Sequence, residues 1–347
     1  MENQKRIKAF DLMRVVAFAL IILYHLLVQL QIEGIYPAET VSKFYATPNM
    51  HIATLAVSIF FMLSGASLYC STKEGMSIKK FYKKRLLRLL IPFYIVAFVY
   101  DIFRIVISGS ISAVFNPAVP KWRIILTLLG LDEWISMHGI VTFSCGVGEW
   151  FLGLLIVIYC LFPLIKILVD KYPKLFFVIV SSIYIIFIYN DHLTIPIHQS
   201  FIPKCFEFIL GIYIYKYLKN IKEKSYWLIT VPLFVFFATS GTVLNINNGL
   251  KITIVAITFF ISFTYIEDVL SDKLMKVIGV IASYTYEVYL VHHIYIYRLT
   301  PVLAPYIINK YRVIALFILE IICMIVSAII LKAITKIVYK LKVINSP

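Results

Sequence analysis

What the chain has little of narrows it first. Charged residues make up only 15% of it, 18 acidic against 33 basic. Soluble globular chains carry about 25%, so there is too little charge here to cover a water-facing surface. Five cysteines, Cys70, Cys145, Cys160, Cys205 and Cys323, stand apart with no CxxC pair. That argues against a disulfide framework and a cysteine metal site, and leaves small thiols packed among apolar neighbours. No Gly/Ser-rich linker and no soluble domain is expected. The first apolar run is too long for a signal peptide's core and lacks a small-residue cleavage pattern, so it reads as a retained helix.

What remains is apolar: 61% of the 347 residues are hydrophobic and 16% aromatic, with mean hydropathy +0.90. The expected fold is an all-α polytopic membrane protein in one domain, 1–347, with the bilayer as its first partner. Ten spanning segments are read at 9–30, 49–71, 87–108, 148–169, 173–190, 202–218, 225–243, 251–267, 274–297 and 311–338. The formal charge of +15 does not point to nucleic acid, because Lys and Arg gather between apolar runs as in cytoplasmic loops. Lys5, Arg6 and Lys8 place the N-terminus inside. Lys73, Lys79, Lys80, Lys83, Lys84 and Arg85 mark the next inner loop. Lys166, Lys171 and Lys174, then Lys216, Lys219, Lys222 and Lys224, mark two more. Lys332, Lys336, Lys340 and Lys342 bring the C-terminus back inside. Loops 31–48, 191–201 and 241–250 are poor in base and fall outside. Residues 109–147 form one long outer connection, expected to be a lid or re-entrant element, or an aromatic-anchored surface loop.

Ionisable residues inside such segments are costly unless paired or facing a polar cavity. The first segment holds Asp11, Arg14 and His25. Asp11 is three residues before Arg14, within pairing reach. Eleven steps of about 100° return His25 to within roughly 20° of Arg14's face, about 16 Å along the axis. One helix face thus carries a charged pair and, in its outer half, an imidazole. Arg85 and Arg88 share a face at the inner mouth of the third segment, beside Lys84. Two guanidiniums there suit phosphate, though basic residues at a helix end also serve as membrane anchors. Glu207 in the sixth segment is a cavity-lining acid or the partner of a buried Arg, and Glu320 in the tenth poses the same alternative. His292, three residues after Tyr289, fits a structural hydrogen-bonded pair as well as a functional site. His51, His138, His192 and His198 read as outer-face residues, and no metal is expected.

Six short blocks follow one another: Arg14-x10-His25, Phe60-Phe61-x-x-Ser64-Gly65, Arg85-x-x-Arg88, Trp150-Phe151-Leu152, Phe208-Ile209-Leu210-Gly211, and Ser283-Tyr284 with Tyr289-Leu290-x-His292. In this order the chain resembles the acyltransferase-3 family of bacterial membrane enzymes that O-acylate surface glycans. The resemblance implies a multi-pass enzyme of the bacterial cytoplasmic membrane, with His25 and Arg14 as the catalytic pair. Arg85 and Arg88, with Lys84 near them, would meet the acyl-CoA. It implies no bound cofactor, acetyl-CoA as donor substrate and a polysaccharide or its lipid-linked precursor as acceptor. Asp11, Ser64, Glu149, Trp150, Glu207, Tyr289 and His292 would line or support the cavity. Many members carry a glutamate five residues after the tryptophan; here that position is Leu155, and Glu149 is the candidate replacement. An exporter using the same polar track is the competing expectation.

Overall fold

The structure is a computed structural model that describes residues 7–72, 75–143, 146–190, 196–217 and 225–341, without the side chains of Glu149, Ile197, Glu267 and Asp268. Lys5, Arg6, Lys73, Cys145, His192, Lys219, Lys222, Lys224 and Lys342 lie outside the described residues. Helices dominate, and the one β feature among the described residues is an isolated bridge between Ala46 and His51. This is the membrane solution to backbone desolvation, since a helix satisfies its own N–H and C=O groups.

Fourteen α-helices are described. They are α1 (Lys8–Ile32), α2 (Ala38–Tyr45), α3 (Ile52–Ser71), α4 (Ile78–Ser108), α5 (Ile124–Leu128), α6 (Asp132–Ser136) and α7 (Glu149–Lys171). Then come α8 (Pro173–Ile188), α9 (Phe201–Tyr217), α10 (Trp227–Thr239), α11 (Asn248–Val269), α12 (Asp272–Ala282), α13 (Thr285–Leu303) and α14 (Lys310–Lys340). Each expected segment contains a helix, but their lengths differ. Six helices are long and apolar enough to cross a bilayer, or seven if α12 and α13 form one broken span. Helices α8, α9 and α10 have 16, 17 and 13 residues. At 1.5 Å per residue they reach about 24, 26 and 20 Å, short of a core of about 30 Å.

Two boundaries differ from the sequence reading. The third segment starts at Ile78 rather than 87, because Lys79 to Arg85 continue the helix as its polar first turns. It stops at Gly109, whose φ of 65° supplies the left-handed residue that ends helices. The ninth segment is two helices, since α12 closes at Ser283, whose hydroxyl donates to the Val280 carbonyl. Ser and Thr offer the backbone such local bonds and so favour breaks.

The chain divides into two compact units. Unit 1 comprises Met1–Val28, Tyr36–Met76 and Leu161–Ser283. Its core is built by α3 packed on α9 and α11, with α10 on α11 and α8 on α9. Met13, Ala17, Ala56, Ile59, Met62, Val255 and Ala256 are fully buried in it. Two glycines set the α3–α9 distance. A Cβ on Gly65 would lie 1.9 Å from the Phe208 carbonyl oxygen, and one on Gly211 2.0 Å from that of Met62. The backbones touch, as small residues permit in membrane helices.

Unit 2 comprises Gln29–Ile35, Ser77–Cys160 and Tyr284–Pro347. Here α14 packs on α13 and α4, and α13 on α4. Tyr286 and Tyr339 donate to the Leu89 and Leu87 carbonyls at 2.7 and 3.1 Å, tying α13 and α14 to α4. The described residues of 109–147 carry only short helical turns, including α5 and α6. Ile318, Ile322, Ile325 and Ile329 form an exposed apolar row along α14, as a lipid-facing stripe requires.

Candidate functional site

Each unit holds part of the residues singled out in the sequence. In unit 1, Arg14 Nη1 donates to Asp11 Oδ1 at 3.1 Å. The Asp11 side chain is 7% exposed and that of Arg14 31%, so the acid is buried and the guanidinium reaches a partly open space. His25 is half-buried two turns from the end of α1. The Tyr24 ring meets it edge-on at 5.2 Å, and Tyr24 also meets His51 at 5.1 Å and Tyr45 at 5.4 Å. Ser64 is half-buried, next to the Gly65 close approach.

Glu207 is indeed internal, but its partner is neither an arginine nor on another helix. Lys204 Nζ donates to Glu207 Oε2 at 2.8 Å and to Ser58 Oγ at 2.9 Å, while Ser58 donates to Glu207 Oε1 at 2.9 Å. Both charged side chains are 1% exposed. Thr253 adds a longer bond to Glu207 Oε1 at 3.4 Å, and its oxygen in turn takes the Tyr184 hydroxyl proton at 2.9 Å. Buried charges persist only when paired and hydrogen-bonded in this way. The sequence signal was present: a lysine and a glutamate three apart in an apolar helix.

Above this network lies a cavity of about 400 Å³ whose lining includes Tyr24, His51, His198, Lys204, Glu207 and Lys251. Its rim is fixed by Asn49, which donates to the Thr242 carbonyl at 2.7 Å and accepts from Leu244 N at 3.0 Å. The two histidines, read as outer-face residues, face this cavity. Desolvation lowers the His51 pKa. His198 has an exposed surface, yet neighbouring atoms crowd its ring. Desolvation, then the Lys204 charge and His51, push it down to about 4. In both, burial disfavours the charged imidazole.

In unit 2, Lys84 and Arg88 are exposed and Arg85 half-buried on the first turns of α4. Glu149 opens α7, with its side chain outside the described ones. Trp150 is half-buried beside Phe151, whose ring meets that of Tyr289 at 5.5 Å. The Tyr289 hydroxyl donates to the Gly148 carbonyl, bracing the turn into α7. His292 is fully buried and its Nδ1 lies 2.6 Å from the Tyr289 carbonyl. A carbonyl only accepts, so that contact fixes the Nδ1–H tautomer. Glu320 is fully buried and accepts from the Thr300 hydroxyl at 2.6 Å; a buried Arg is one of the two alternatives that the sequence leaves open for it.

Apolar helices of spanning length, with ionisable groups paired inside them, define a multi-pass membrane protein. Its chemistry follows from kinship: the chain belongs to the acyltransferase-3 family, whose model, described as an acyltransferase domain, matches residues 7–336. It is a membrane acyltransferase. Neither the curated proteins nor the solved structures compared with it gave a match.

Proposed function

We propose that this acyltransferase moves an acetyl group from cytoplasmic acetyl-CoA to a hydroxyl of a surface polysaccharide or its lipid-linked precursor, in a bacterial cytoplasmic membrane. In this reading the chain crosses ten times with both termini inside, and residues 109–147 form an outer lid. The single observation that carries it is α1, where the Asp11–Arg14 pair, with its acid buried, and His25 share one helix in a chain of this family.

The donor's phosphates fit the cationic first turns of α4, where Arg85, Arg88 and Lys84 stand together. The imidazole of His25 takes the acceptor's hydroxyl proton as the oxygen attacks the thioester carbonyl. The carbon–sulfur bond then breaks and the proton passes to the departing thiolate. A route through an acyl-histidine balances equally, with the acyl group resting on the ring before the acceptor takes it. Arg14, held by Asp11, stabilises negative charge developing on the carbonyl oxygen. Asp11, Ser64, Glu149, Trp150, Glu207, Tyr289 and His292 support the helices that carry these groups.

The test is purified protein in vesicles supplied with labelled acetyl-CoA. Thioester turnover is expected in the wild type and to fall at least about a hundredfold in His25→Ala, the range for a lost general base, with thermal unfolding unchanged. Turnover that survives the substitution, or solute flux that needs no acetyl-CoA, would overturn the reading in favour of export.

A further inference from the structure

Among the described residues, the cavity of unit 1 is lined by more basic than acidic side chains. Three helices begin at it: α3 after His51, α9 near Lys204, and α11 with Asn248 and Gly249. Helix starts present unpaired N–H groups and the positive end of the dipole. Lys251 stands in the first turn of α11, where a cation is disfavoured, and is only 6% exposed. Among the described residues its ammonium makes one hydrogen bond, a long one of 3.4 Å to the Pro48 carbonyl. Glu207 is the one acid among the described lining residues, and Lys204 already engages it at 2.8 Å. Among the described lining residues, two lysines, Lys204 and Lys251, thus stand against the single acid Glu207. No second acid lines the cavity among the described residues, and a buried charge needs a partner.

We propose that this cavity binds the anionic group of an acidic sugar, with Lys251 holding its carboxylate or phosphate, and that this sugar is the acceptor. The volume of about 400 Å³ is of small-molecule size. The wall supplies what a sugar ring needs: the Tyr24 and His51 rings for its apolar face, and Asn49, Thr54 and Asn248 for its hydroxyls. Tyr24, part of the cavity wall, also meets the His25 ring at 5.2 Å, and in this proposal that ring connects the bound sugar with the imidazole. Only the role of acceptor rests on the acyltransferase reading; binding itself requires no donor.

The experiment measures binding by calorimetry on the full chain in nanodiscs, without acetyl-CoA, using glucuronate, glucose 6-phosphate, glucose and inorganic phosphate. Glucuronate or glucose 6-phosphate is expected to bind at least about tenfold more tightly than glucose or free phosphate. Whichever of the two prevails identifies the acid. Lys251→Gln is expected to weaken it about tenfold or more, the scale of one charged hydrogen bond, and Lys251→Arg to preserve it. Thr54→Phe fills the cavity, leaves its charges in place and should abolish binding even if Lys251→Gln does not fold. Equal affinity for glucose, full binding by inorganic phosphate, no binding of either acidic sugar, or unchanged affinity in Lys251→Gln or Thr54→Phe overturns the proposal. Such a failure leaves the His25→Ala turnover test standing, and a failure there leaves the binding result intact.

Discussion

Lys204 and Glu207 show how much depends on pairing at a single turn of helix. Each is 1% exposed, and removing either leaves an uncompensated buried charge, a loss of roughly 3–5 kcal/mol. Glu207→Leu or Lys204→Met alone should therefore lower the melting temperature sharply, while the double replacement recovers most of it; a double mutant as unstable as the singles would refute the pairing. Of this network the glutamate was legible in the sequence, because an acid in an apolar run stands out. Lys204 was harder to read although it stands three residues before that acid, because a lysine near the start of a span reads as an interface anchor with its head in water. His198 gives a pH signature. Its folded pKa of about 4 lies below the ordinary value of 6.5, so between the two the unfolded chain binds more protons. Its contribution is complete above about pH 6.5 and is lost as pH falls toward 4. His198→Gln should flatten the melting temperature over that window relative to wild type, and an unchanged slope would count against the assignment.

At the scale of elements, the α3–α9 contact follows from two glycines that the sequence displays plainly. Gly65 lies in a run of small residues and Gly211 ends an apolar block, so close approach was readable from residue size. Which helix each would meet was not, since almost 150 residues separate them in the sequence. Valine at Gly65 or Gly211 forces a side chain into a backbone carbonyl and should abolish the monodisperse folded peak in size-exclusion chromatography. Gly241→Ala, with nothing within 4 Å of the new carbon, is the matched control and should elute as wild type. The cavity was less visible still. Its wall joins residues near 51, 204 and 251, each ordinary in its own segment, and only the packing of three helix starts makes them one site.

For the whole molecule, apolar periodicity located a helix in each expected segment, because burial in lipid demands it. Segment length was a poorer guide, as α8 to α10 show: hydropathy marks what avoids water, whereas helix ends obey local caps and breaks. The clustering of Lys and Arg predicts sidedness. In oriented vesicles, labelled acetyl-CoA should bind only from the face that carries the N-terminus and the first turns of α4. Arg85→Ala with Arg88→Ala should weaken that binding at least about tenfold, as expected for lost charged hydrogen bonds, and reduce its sensitivity to salt. Donor binding from the opposite face, or unchanged affinity in the double mutant, would reverse the topology or remove the phosphate grip.

The touching backbones of α3 and α9 also have a mechanical meaning. With each glycine lodged against the other helix's carbonyl-bearing chain and Ser58 bridging the Lys204–Glu207 pair, these two helices cannot slide without collision and must travel as a single strut. The floor beneath the cavity is thereby stiff. Any widening that admits a bulky guest has to come from its remaining walls, which include Tyr24, Tyr184, His198, the start of α11 and the turn at 46–51, whose latch is the Asn49 side chain.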